Sequence, residues 1–224
     1  MHRFGTLFAT LALGLAALPL GAQGPTDLVE VCKVLGDAKP GQWASFDGTS
    51  GGSGGGKVRL AVVGSERAGD STLYWFEVSF TGKDPGKSGV VQILTTSLAS
   101  GLESPRALVI KAGLQPAMRI SGEMAGMMGK QAGKNASALD WAARCGRAHV
   151  VGWESVTVPA GTFRALHVTT EDGGELWASR DVPFGVVKTH GKQGDMALTG
   201  RGADAKSSIA ERPLEMPGMA MPKD

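Results

Sequence analysis

From Gln42 onward the apolar residues of this chain recur at every second position, which commits most of it to β-strands with one packed face. Between residues 72 and 80, Tyr74, Phe76, Val78 and Phe80 form one continuously apolar face, while Leu73, Trp75, Glu77 and Ser79 turn polar toward the end. An antiparallel sheet with one side packed and the other wet reads this way. The same alternation predicts strands over residues 43–46, 57–63, 72–80, 89–96, 106–111, 150–158, 162–170, 175–179, 186–190 and 196–199, with a further one over 207–211. The 34 glycines fall mostly between these runs, where turns are required. Pro159-Ala160-Gly161 fits a type I turn with a glycine bulge, and Asp172-Gly173 is a hairpin dipeptide.

Helical spacing is confined to short stretches. Leu28, Val29, Val31, Cys32 and Leu35 share a face over residues 27–35, with Thr26 or Asp27 as cap and Gly36 and Pro40 as the stop. Residues 137–145 read as a second brief helix with Leu139, Ala142 and Ala143 inward. Between residues 112 and 146 the alternation lapses into a Gly-rich stretch carrying Met118, Met124, Met127 and Met128.

Residues 1–22 have the layout of a secretory signal peptide. His2 and Arg3 precede an apolar run from Leu7 to Leu20, and Leu20-Gly21-Ala22 supplies small residues before Gln23. The run is shorter than the roughly 20 apolar residues of a membrane span. The expected organisation is a signal peptide at 1–22, one β-rich domain at 23–212, and an unstructured Pro/Met-rich tail at 213–224, exported to a periplasm-like space. A formal net charge of +2 gives no general pull toward nucleic acid or anionic membrane.

Export gives the two cysteines a meaning. Cys32 and Cys145 are an even count in an oxidising compartment and are expected to form a disulfide; a free redox or metal-binding pair is the alternative, without CxxC spacing to favour it. Closing so long a loop is worth on the order of 4 kcal/mol in the chain-entropy model. Neither cysteine follows the cleavage site, so no lipoprotein anchor is expected.

Candidate chemistry is sparse. Gly51 to Gly56 followed by Lys57 has phosphate-loop spacing, but Val58 replaces the hydroxyl that would ligate Mg²⁺ and a strand follows; in Gly86-Lys87-Ser88 the leading glycine is replaced by Thr81. His149, His167 and His190 are scattered over three strands without HxH or HExxH spacing, which suits structural histidines. No serine sits in a G-x-S-x-G elbow. Glu154, Glu171, Asp172 and Glu175 cluster near hairpin ends as solvated turn charges do. No catalytic residue, metal ligand or cofactor is nominated, and the expectation is a protein that is not an enzyme. Met216, Met219 and Met221 are thioethers of the kind Cu(I) selects, against the plainer reading of a low-complexity end. Met118, Met124, Met127 and Met128 suit either core filling or a pliable apolar lid.

The order of motifs is itself informative. Gly152-Trp-Glu-Ser-Val-Thr-Val-Pro-Ala-Gly-Thr-Phe163 is followed by Gly174-Glu-Leu-Trp177 and Val182-Pro-Phe-Gly-Val-Val-Lys188. Upstream stand Pro40-Gly-Gln-Trp43, Val63-Gly-Ser-Glu66 and Tyr74-Trp-Phe-Glu77. Over most of the mature chain this resembles bacterial exported proteins with a VPAGTF hairpin and a W…VPFGVVK strand pair, a group similar to the LolA/LolB-like superfamily of periplasmic lipoprotein carriers. The resemblance implies a mainly β fold: a strongly curved antiparallel sheet, a half-open barrel, with one or two short helices against its concave face. It further implies an apolar hollow, for which Trp43, Trp75, Trp177 and Phe184, with Met118, Met124, Met127 and Met128, are the side chains available as lining. The expected function is non-enzymatic binding of an apolar or lipid-like molecule; the alternatives are an interaction module that recruits another envelope protein, and weak Cu(I) binding by the tail.

Overall fold

Opposed residues on neighbouring strands carry the alternation across a single curved, unclosed sheet. The computed structural model describes Leu28, Lys33 and residues 37–49, 55–82, 84–97, 105–135, 147–192 and 194–216. In chain order the strands are β1 (Trp43–Thr49), β2 (Gly56–Ala68), β3 (Ser71–Thr81), β4 (Gly89–Thr95), β5 (Ala107–Ala112), β6 (Met118–Ser121), β7 (His149–Val158), β8 (Gly161–Thr169), β9 (Glu175–Ala178), β10 (Val186–His190), β11 (Asp195–Gly202) and β12 (Leu214–Glu215). Helix α1 (Gly122–Asn135) follows β6 directly. The strands lie in the order β12-β6-β5-β4-β3-β2-β1-β11-β10-β9-β8-β7. Neighbours are antiparallel except β12 and β6, which run parallel.

The inner face is built in cross-strand rows, since directly opposed residues point the same way. Val62, Phe76, Ile93, Leu108 and Ile120 stand opposite one another from β2 to β6, and all are buried. On the other side of β1, Leu198 faces Phe46, while Leu176, Val168, Leu166 and Ala178 continue the buried surface through β8 and β9. Complete burial of one such side chain is worth about 1.5–3 kcal/mol. The two halves make one core, which a flat sheet could not do. Bulges at Ser45/Phe46, Val62/Gly64, Val150/Gly152 and Val186/Lys188 add local bend. At the tip of the β7–β8 hairpin the amide of Ala160 donates to the carbonyl of Leu198 at 3.1 Å, folding that hairpin back toward β11.

Helix α1 lies against this inner core through the buried Ala125 and the half-buried Met124, with Glu123 in its first turn, where a carboxylate favours the helix dipole. It occupies part of the Gly-rich stretch in which alternation lapsed, and β6 precedes it. The helix expected over 137–145 lies outside the described residues. So do most of 27–35, of which Leu28 and Lys33 are helical and Leu28 packs on the core. Cys32 and Cys145, and with them the expected disulfide, also lie outside.

The outer face is crossed by the chain itself. After β11, residues 203–213 run across β1 to β5 as a strap, where alternation predicted a strand over 207–211, and the chain then joins the sheet edge as β12. Trp43 Nε1 donates to Asp204 at 2.7 Å, and the Ala205 amide donates to the Gly41 carbonyl at 2.7 Å. Ile209 packs with Val109 and Ala117, and Lys111 pairs with Glu211 at 2.5 Å. At the centre is the fully buried Glu77. Its carboxylate accepts from Gln92 Nε2 at 2.8 Å, the Ser208 amide at 2.9 Å and Ser208 Oγ at 2.6 Å, and Arg59 lies 3.5 Å away. Ionised and buried, it is tolerable because its lone pairs are filled.

Two outcomes follow for the strap. Glu77→Ala orphans three donors and a guanidinium, so it should cost about 3 kcal/mol in urea unfolding and open the strap to trypsin at Lys206. The second concerns acid. The Trp43 indole holds the Asp204 carboxyl below its ordinary 3.8, and the Lys111 ammonium holds Glu211 below its ordinary 4.5. A depressed folded value means that these contacts stabilise fully above the ordinary values and are lost as pH falls through the lower folded ones. The Trp43 indole N–H resonance should therefore move as pH falls well below 3.8 and stay in place at pH 5.

Candidate functional site

One inner-face row is only half covered. Two residues along from the buried row, Leu60, Val78, Val91, Ile110 and Met118 stand opposite one another on β2 to β6, and each is half-buried. Leu214 of β12 extends the row at the edge with 55% of its surface exposed. In the next row Val58 faces Phe80, which is 44% exposed and lies over Gly89. A Cβ at Gly89 would sit 2.5 Å from Phe80 Cζ, so the glycine gives the ring its seat. The apolar surface of the concave face thus continues beyond the closed part of the core and reaches solvent at Phe80. Aliphatic and aromatic side chains on rigid strands offer dispersion contacts and few hydrogen-bonding groups, which suits an alkyl chain or ring.

Of the four expected lining aromatics, Phe184 and Trp177 belong to the buried core. Phe184 is buried, 5.6 Å from the Phe76 ring at 51°, and its backbone is held at φ 64°. A left-handed conformation is costly for a bulky residue and persists only where the surroundings impose it. Gly185 follows at φ 71°, and its amide donates to the Val182 carbonyl at 2.9 Å, closing a tight turn that drives the ring inward. Phe184 is therefore a packed member of the core.

Trp43 and Trp75 face the other way, and Trp177 lies at the margin of the core. Trp43 alternates with Ala44 and Phe46, so it lies on the outer face, against Gly200 and Gly202 with Arg59 5.3 Å from its ring. Trp75 alternates with Phe76; it donates to Glu66 at 2.7 Å, packs beside Leu73, Leu94 and Ala107, and has Arg119 5.3 Å from its ring. Trp177 alternates with Leu176 and Ala178 and stacks on His167, 4.4 Å between centroids and 15° between planes. Lys188 Nζ lies 4.8 Å from its ring, and its Nε1 donates to Glu154. Each indole has a carboxylate partner for its N–H.

Met118 belongs to the half-covered row and Met124 rests on the core, while Met127 and Met128 are exposed on α1. The histidines do not converge. His167 lies 3.5 Å from both Glu154 and Glu175 beside the Trp177 ring, and His190 pairs with Asp195 at 2.6 Å at a hairpin end. Among the described residues no group of three or more His, Cys, Asp or Glu is placed to hold a metal ion. The sequence reading passed over Leu60, Val78, Val91, Ile110 and Phe80 as site residues, although alternation had already put Val78 and Phe80 on the apolar face.

No family model and no curated protein matches the chain. Among solved structures it is similar to MucB in complex with MucA(peri), at 13% identity and a TM-score of 0.45, over 84% of this chain and 59% of that one. The chain thus spans less than two thirds of the MucB chain. It is also similar to a putative exported protein with YmcC-like fold from Bacteroides fragilis NCTC 9343, at 12% identity and a TM-score of 0.34, over 74% of this chain and 97% of that one. A DUF1329 family protein from Desulfovibrio piger ATCC 29098 shares 14% identity at a TM-score of 0.32, over 82% and 93% of the two chains.

The filling role of Phe184 is open to measurement. Phe184→Ala should lose about 3 kcal/mol in urea unfolding, and the void should take up xenon or benzene, seen as methyl shifts at Ile93 and Leu108.

Proposed function

We propose that this is an exported, non-enzymatic binding protein that shelters an apolar or lipid-like molecule on its concave face. The observation that carries the reading is the half-covered row of Leu60, Val78, Val91, Ile110 and Met118 ending at the exposed Phe80. A bound alkyl chain laid along this row would complete the burial that the protein's own core leaves unfinished, and each methylene buried contributes about 0.8 kcal/mol. Phe184 and the row of Phe76, Ile93 and Leu108 form the floor, limiting how deep the ligand reaches. Export rests on the leader at residues 1–22 and suits a carrier for molecules that water holds poorly.

The direct test is native mass spectrometry of protein purified from its own envelope, in which a retained amphiphile is the expected result. A fluorescent fatty acid then locates the site. Val91→Asp puts a charge in the middle of the row and should weaken probe binding at least about tenfold, whereas Trp75→Phe on the opposite face should leave it within about twofold. Equal affinity in the parent and in Val91→Asp overturns the assignment.

A further inference from the structure

Three strands bring one imidazole and two carboxylates together at the end of the strand order opposite the half-covered row. His167 projects from β8, with Gly152 of β7 and Trp177 of β9 directly opposite. Its Nδ1 lies 3.5 Å from Glu154 Oε1 of β7, and its Nε2 lies 3.5 Å from Glu175 Oε1 of β9. Each ring nitrogen therefore faces a carboxylate. The Trp177 indole, stacked at 4.4 Å and 15°, fixes the plane of the ring. Glu154 is held in turn, because its Oε1 accepts from Trp177 Nε1. Trp177 stands between His167 and Lys188 of β10 in the cross-strand row, so Lys188, with Nζ 4.8 Å from the indole, lies on the far side of it. Two residues along β8 in either direction, Ala165 and Thr169 carry no charge.

With a neutral ring this arrangement is incomplete. The His167 side chain exposes 14% of its surface, and among the described residues its Nε2 is buried without a hydrogen-bond partner. A buried polar atom left in that state costs about 1–3 kcal/mol. A neutral imidazole has one N–H and one lone pair, so one of its nitrogens always presents a lone pair to a carboxylate. A second proton turns both nitrogens into donors, gives each an acceptor, and sets an imidazolium on an aromatic face. Lys188 opposes that charge only across the thickness of the indole, whereas both carboxylates stand at 3.5 Å. Imidazole is the side chain whose charge ordinarily changes between about pH 5 and 8.

We propose that His167, Glu154 and Glu175 form a proton-operated latch that ties β7, β8 and β9 together in acid and slackens as the pH rises through the imidazole range. The contacts are complete while the ring carries two protons, and one of them is lost when it carries one. Leu166 and Val168, the neighbours of His167 along β8, are buried in the core, so the latch reaches the interior through the strand that bears it. An exported chain meets the acidity of its surroundings, where such a device has a use. The latch is separate from the row proposed for the apolar ligand, and either assignment can fail without the other.

Urea unfolding of the full-length protein and of His167→Gln should be compared at about pH 5.5 and about pH 8. Glutamine keeps hydrogen-bonding groups and does not titrate, and the other histidines contribute equally to both proteins. The ratio of the two folding constants, parent over variant, should grow at least about threefold toward the lower pH. Carboxylates that remain partly exposed hold the effect to that order. With Glu175→Gln in both proteins, the growth should shrink by at least about half. ¹⁵N NMR of the parent's imidazoles reads the ring directly and decides the assignment if a variant fails to fold. The expected result is a folded protein in which both nitrogens of His167 carry protons at the lower pH and one does at the higher. A ratio that is unchanged or falls toward acid, growth undiminished by Glu175→Gln, or a His167 ring with a single proton in the folded parent at about pH 5.5 overturns the proposal.

Discussion

A sheet this broad has two apolar faces to dispose of, and the outer one depends on a single buried carboxylate. Glu77 projects from the middle of β3 and gathers Gln92 of β4, Arg59 of β2 and Ser208 of the strap around its two oxygens. Desolvating the charge is expensive, and only this set of donors offsets it. The result is specificity of place: the strap must pass where Ser208 can reach Glu77, which in turn sets Ile209 over Val109 and Ala117. An apolar residue in the position of Glu77 would cover the face without fixing what lies on it.

The inner face solves the same problem by curvature. Bending brings Leu198, Leu176 and Phe184 within reach of Phe46, Phe76 and Ile93, so the sheet buries itself against itself. A curved sheet that does not close cannot cover every row equally. The row from Leu60 to Met118 is where the cover gives out, and its half-buried surface is a consequence of the architecture rather than an addition to it.

Much of the fold was legible because period two is a local signal. The strands, the hairpin at Pro159-Ala160-Gly161 and the turn at Asp172-Gly173 all follow from neighbouring residues. Alternation also separated Phe76 from Trp75, which lie on opposite faces of β3. Helix α1 escaped notice because Gly126, Gly129 and Gly133 each cost about 1 kcal/mol relative to Ala, a deficit that contacts at Ala125 and Met124 help to offset. The strap was read as a strand because its anchors, Trp43, Glu77, Gln92 and Lys111, lie on other strands and leave no periodic trace near residue 207. The half-covered row was written in the sequence as plainly as the buried one; which row the core would reach depends on bend, and bend is a property of the assembled sheet.

The strap has a consequence for timing. It belongs to the last stretch of the domain to leave a ribosome or a translocation pore, after every strand it crosses. Until it arrives, Trp75, Val109 and the Glu77 carboxylate face solvent on a sheet that lacks only β12. Vectorial delivery therefore produces a species with its concave side folded and its back bare, a transient surface that invites chaperones or self-association until the final segment is drawn across.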